Sequence, residues 1–141
     1  MAVDTNVATK KGSAPISLSN RLRMFERTVD FSDDNLASGA WFEIIQLPAN
    51  SIVIDGMLHV ITEQATLTLA LGYGGGHELL GATTVATAKQ STAMEHKAVV
   101  WPTTDDDVSI AAAAATASTA VVTVSLLVLV PDDNLVGDND L

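Results

Sequence analysis

The sequence predicts an all-β protein: an antiparallel β-sandwich of about eight strands, most simply a jelly roll, with an extended N-terminal arm. Three observations predict it. Short apolar runs alternate with period two, as strands half-buried in a sheet do. Clusters of Gly, Pro, Asn, Asp and Ser interrupt these runs roughly every 8–12 residues. Little of the chain carries helical periodicity, and no longer period repeats along it, which argues against solenoids and propellers. At 141 residues and 48% hydrophobic content the chain is long enough for one domain with a real core and too apolar for a disordered protein.

Residues 1–20 are small and polar, and Lys10-Lys11-Gly12-Ser13-Ala14-Pro15 has the composition of an arm or linker. The body is expected over 21–131, followed by an acidic tail, 132–141. Residues 21–31 suit a strand with Phe25, Val29 and Phe31 on one face, which Arg23 and Arg27 share. Residues 31–40 form a loop by their Ser, Asp, Asn and Gly content. A second strand spans 41–47 and ends at Pro48. A third spans 52–62, with Gly56 marking a bulge or a close approach. The Thr-Leu-Thr-Leu run at 66–71 is the clearest strand, with Leu67, Leu69 and Leu71 inward and Thr66, Thr68 and Ala70 outward. Gly72-Tyr73-Gly74-Gly75-Gly76 is a turn, 77–84 a short strand, 85–95 ambiguous, and 96–101 a further strand closed by Pro102.

Residues 108–130 run for 23 positions without a charge, ending before Pro131. As a helix they would rise about 35 Å, enough to cross a membrane. The composition argues against that: seven residues are Ala, six are Ser or Thr, and the second half is rich in Val, which favours a pleated strand. The flanks, Asp105-Asp106-Asp107 and Asp132-Asp133, lack the Lys or Arg that a spanning helix carries on its cytoplasmic side. The stretch is therefore expected to be a hairpin, with strands at 108–113 and 119–130 joined by 114–118. Alternation places Val122, Val124, Leu126, Val128 and Val130 on one face and Val121, Thr123, Ser125, Leu127 and Leu129 on the other. The second face begins half polar and finishes apolar, so Leu127 and Leu129 need cover from a loop of this chain or from another subunit. They are the candidate subunit-contact residues.

The net charge is −10, unevenly spread: residues 1–27 carry +3 and residues 28–141 carry −13. So acidic a body does not present a nucleic-acid-binding surface. There is no cysteine, which excludes disulfides and thiolate chemistry, and the N-terminus lacks the apolar core of a secretory signal. No catalytic constellation, cofactor site or metal site emerges. The Gly72–Gly76 run lacks the Gly-Lys-Ser/Thr ending of a phosphate loop. His77-Glu78 and Glu95-His96 are adjacent pairs, which on a strand point to opposite faces and do not chelate. Asp105–Asp107 lacks the spaced ligands of a calcium loop, and no Ser sits in a Gly-x-Ser-x-Gly elbow. Trp41 and Trp101, each at the end of an apolar strand, are expected in the core.

Three stretches, 42–60 (FEIIQLPANSIVIDGMLHV), 65–76 (ATLTLALGYGGG) and 105–130 (DDDVSIAAAAATASTAVVTVSLLVLV), together resemble the small head decoration, or cement, proteins of tailed bacteriophages. The resemblance covers roughly residues 40–130 and lies in texture and order rather than in an invariant motif. It implies a jelly-roll or sandwich body, a homotrimer, held on the outer surface of a capsid where it braces neighbouring major capsid subunits. On that reading Lys10, Lys11, Arg21, Arg23 and Arg27 attach the arm to an acidic capsid surface. The partners are then the major capsid protein and further copies of this chain, with no cofactor, membrane or nucleic acid. The competing reading is a tail, fibre or host-adhesion module that binds glycans through a Trp or Tyr73.

Overall fold

The computed structural model describes residues 21–102 and 107–131. Lys10, Lys11, the proposed arm and tail, and Asp105 and Asp106 lie outside the described residues. Nine strands form: β1 (Leu22–Asp30), β2 (Trp41–Ile45), β3 (Ile52–Thr62), β4 (Thr68–Tyr73), β5 (Leu80–Thr84), β6 (Ser91–Ala93), β7 (Val99–Val100), β8 (Val108–Ala114) and β9 (Val121–Leu129). They build two antiparallel sheets, β1-β9-β3-β6 with β7 also on β3, and β2-β8-β4-β5.

This order is a jelly roll. Four antiparallel pairs, β1·β9, β2·β8, β3·β6 and β4·β5, make a long double strip. The strip is rolled so that β9 also pairs with β3 and β8 with β4. Rolling sends nearly every connection from one sheet to the other, and only β4 and β5 form a hairpin within the eight-stranded frame. The ambiguous stretch 85–95 supplies β6, and the strand expected at 96–101 shrinks to the two residues of β7. The strand expected at 66–71 starts later and runs into the glycine stretch, because Thr66 takes a positive φ of 67° that breaks the pleat before it.

One expectation is overturned. Residues 108–130 hold two strands, but these are not a hairpin: β8 lies in the four-stranded sheet and β9 in the other. Their connection crosses the sandwich, beginning at Ala115 in the left-handed region (φ 66°). Gln64 shapes it. Its Oε1 accepts from the backbone N–H groups of Ser118 (2.9 Å), Thr119 (3.0 Å) and Ala120 (3.3 Å), and its Nε2 donates to the Thr116 carbonyl (2.6 Å). One side chain thus satisfies four backbone groups that no ladder reaches. From the other side the crossing is held by the Leu36–Ala117 bridge, whose N–H···O bonds are 2.9 and 2.8 Å.

The core lies between the sheets. Val122, Val124, Leu126 and Val128 of β9 face Leu69 and Leu71 of β4 and Ile110 of β8 across it, all fully buried. Trp101 is buried as expected and its ring meets Tyr73 edge-on at 5.2 Å. Phe31 and Phe42 stack at 6.0 Å and close the end where β1 leaves its sheet. Gly56 is a point of close approach beside a register shift between Val53 and Asp55. A Cβ there would lie 2.5 Å from the Ser125 carbonyl oxygen and 2.8 Å from Leu126 Cδ2.

The Gln64 clamp yields a prediction. At about 0.5–1.5 kcal/mol net for each of its four hydrogen bonds, Gln64→Ala lowers unfolding stability by about 2–6 kcal/mol. Gln64→Glu keeps the acceptor oxygen and loses only the bond to Thr116, so it costs less. Urea unfolding of both variants checks this, and equal stability of Gln64→Ala and the parent chain contradicts it.

Candidate interaction surface

The outward face of the five-stranded sheet is divided. Toward one end polar pairs are hydrogen-bonded across the strands, with Ile61 exposed beside them: Thr28 Oγ1 and Thr123 Oγ1 lie 2.9 Å apart, Ser125 donates to Glu26 (3.0 Å), and His59 Nδ1 meets Ser91 Oγ at 2.7 Å. Toward the other end the cross-strand register places Leu22 and Ile52 on either side of Leu129, and Met24 and Asp55 on either side of Leu127. Val100 extends the row opposite Ile52. Met24 is 63% exposed, Met57 45% and Val100 64%, while Leu127 and Leu129 are half-buried among them.

A groove of about 340 Å³ crosses this patch, walled by Met24 and Met57 and floored by Gly56 and Leu127. Its rim carries an ion pair, Lys97 to Asp55 at 3.6 Å. Exposed methionines adapt their shape to what they touch, and a contiguous apolar patch edged by charge is the signature of an association surface. Among the described residues Leu127 and Leu129 are only partly covered.

Of the three described arginine candidates, Arg21 directly precedes β1 and Arg23 and Arg27 lie on it. Arg21 donates from Nε to the Val130 carbonyl (3.2 Å), and Arg27 donates from Nη1 to the Ile44 carbonyl (3.2 Å), bridging the adjacent edges of the two sheets. Arg23 lines a cleft with Phe25, Gln46, Leu47 and Pro48. Arg23 and Arg27 fall on the inward parity of an edge strand, where a charge obstructs pairing with a foreign strand. A guanidinium has five N–H donors, so these single bonds leave Arg21 and Arg27 able to engage a second group. Nearby, Asp30 accepts from the hydroxyl and the N–H of Ser32, which holds its carboxyl below the usual range.

The other sheet corrects the reading of Trp41, which is 45% exposed rather than in the core. Its indole lies on Gly75, where a Cβ would overlap the ring. Gly75 takes a φ of 81°, and its N–H donates to the buried Ser109 hydroxyl (3.0 Å), which in turn donates to the Gly72 carbonyl (3.1 Å). Glu78 completes the turn by accepting from the Tyr73 N–H at 2.9 Å. The glycines therefore seat an aromatic ring, and nothing in their spacing announced it. Beside it runs a trough of about 450 Å³ floored by Ala70, Ala82 and Ala111, with His77 on its wall.

Among the described residues no group of three or more His, Asp or Glu side chains is placed to hold a metal ion. Glu95 and His96 pair with each other at 3.2 Å on the surface. No helix of the described residues is long and apolar enough to cross a membrane.

No family model matches the chain, and no curated protein does. Solved structures share its fold. A chain in the capsid of Ralstonia phage GP4 superposes with a TM-score of 0.64 at 20% identity, over 83% of this chain and 90% of that one. A chain of the capsid asymmetric unit of cyanophage Pam1 gives 0.59 at 22% identity, over 84% and 99%. A chain from the acid-stable capsid of Helicobacter pylori bacteriophage KHP30 gives 0.61 at 15% identity, over 79% and 90%. The jelly roll is thus shared almost end to end with chains of about this length.

The Trp41 seat is testable. Gly75→Ala forces the indole off the turn and puts an alanine at positive φ, at a cost of roughly 1–2 kcal/mol. Trp41 emission is expected to shift while that of buried Trp101 stays fixed, read by fluorescence in Trp41→Phe and Trp101→Phe backgrounds. An unchanged Trp41 signal contradicts the seating.

Proposed function

We propose that this chain is a structural protein of a phage virion that sits on the outer capsid surface as a homotrimer and cements neighbouring major capsid subunits. The observation that carries the reading is the near-complete sharing of the jelly roll with chains of similar length from three phage capsids. A chain that braces a shell needs a rigid body, a surface for its own kind and a surface for the shell. The buried inter-sheet core supplies rigidity. The apolar half of the five-stranded sheet, centred on Leu127 and Leu129, suits contact between copies, because burial there removes apolar area from water at about 25 cal/mol per Å². The basic residues Lys10, Lys11, Arg21, Arg23 and Arg27 suit an acidic shell, since they gather positive charge at one end of a chain whose remainder carries −13.

A second reading, glycan binding, is favoured by the exposed and rigidly seated Trp41. Tyr73 does not serve it well, because its ring packs on Trp101.

Attachment is tested by co-sedimentation with purified capsids that lack this protein. The parent chain is expected to bind and to raise the capsid melting temperature. Neutralising the five basic residues together weakens binding at least about fivefold at low salt, given 0.2–1 kcal/mol per exposed ion pair. Unchanged binding removes those residues from the contact, and no binding by the parent chain sinks the capsid reading. Saccharide-induced change in Trp41 fluorescence without capsid binding would establish the second reading in its place.

A further inference from the structure

The backbone ladder between β1 and β9 ends at the bond from the Val130 N–H to the Arg21 carbonyl (2.8 Å). Pro131, next in the chain, has no N–H to continue it. The described chain therefore begins at the apolar end of the five-stranded sheet, beside Leu22 and Leu129. Read alone, residues 1–20 show no periodicity. The observed face of β1 supplies one: Leu22 and Met24 point outward, and Ile16 and Leu18 fall on the same even parity. An extended continuation of β1 carries one apolar stripe, Ile16-Leu18-Leu22-Met24, interrupted only by Asn20.

We propose that Ile16 and Leu18 of one copy lie on the Met24–Leu127–Met57 groove of a neighbouring copy, so that the subunits are joined by exchanged arms. The inference rests on the reading of Leu127 and Leu129 as a contact between copies and is independent of attachment to a shell. Geometry favours the neighbour over the chain's own groove. A chain continuing β1 in extended form would carry Leu18 about 13 Å and Ile16 about 20 Å beyond Leu22, while the groove lies in the opposite direction. Reaching it within one copy requires a full reversal across the four residues from Leu18 to Leu22. An arm passed head to tail generates a closed ring when the rotation closes, as a trimer requires.

The absence of any native cysteine makes the test clean. In the full-length Leu18→Cys/Met57→Cys variant, mild oxidation is expected to give disulfide-linked multimers on a non-reducing gel. Ile16→Ser/Leu18→Ser is expected to raise the concentration at which the oligomer dissociates at least tenfold, measured by sedimentation. Monomers with an internal disulfide, or thiols left free, overturn the exchange. If Leu127→Ser dissociates the oligomer and Ile16→Ser/Leu18→Ser does not, the arm inference fails and the subunit contact stands. A parent chain that is monomeric throughout overturns both.

Discussion

The placement of β9 between β1 and β3 is the constraint on which the remaining structure depends. Both of its edges are engaged along nearly the whole strand, so its backbone polar groups are met by the two neighbouring ladders. Four of its side chains, Val122, Val124, Leu126 and Val128, are fully buried, and each contributes about 1.5–3 kcal/mol relative to exposure. With β9 fixed, β1 must be an edge strand, β3 must run beside it, and β8 must come from the opposite sheet. The outward residues of β9 then have no freedom either: Leu127 and Leu129 stand among Leu22, Met24, Ile52 and Met57, and the apolar surface patch is the other side of the same strand.

The two sheets divide the work of presenting surface. Small residues floor the four-stranded sheet, which leaves Trp41 standing above Ala70 and Ala111 on a turn braced by Ser109 and Glu78. The five-stranded sheet instead turns a polar, cross-linked half and an apolar, adaptable half to its surroundings. Arg27 closes the seam between the sheets by capping a carbonyl of β2, so the exposed edge of β1 is occupied by a charge rather than left as a template for foreign strands.

Much of the fold was legible because alternation reports which face of a strand is buried. The third strand, 52–62, has the expected bounds, the inward set of β9 follows from alternation residue by residue, and Gly56, expected to mark a bulge or a close approach, is a close approach beside a register shift. Pairing was less legible, because a strand's own residues encode its faces and not its neighbours. The Ala-rich connection 115–120 suits a tight hairpin or a crossing equally well, and what decides between them is Gln64, some fifty residues earlier in the chain. Trp41 was misplaced for a similar reason. Its seat is made by Gly75, whose missing side chain leaves no signal linking it to a tryptophan so distant in sequence. Of the site residues, Leu127 and Leu129 were visible as a failure of alternation, whereas Met24, Met57 and Val100 join them only through cross-strand register.

The central claim is that this jelly roll sits on the outside of a phage shell and joins its subunits. Electron cryomicroscopy of a phage virion assembled with this chain tests it most directly. The account predicts jelly-roll density on the outer capsid surface, astride joints between major capsid subunits, with the Leu127 face turned toward another copy. Density for this chain confined to the tail or fibres, or a Leu127 face open to solvent, would contradict it.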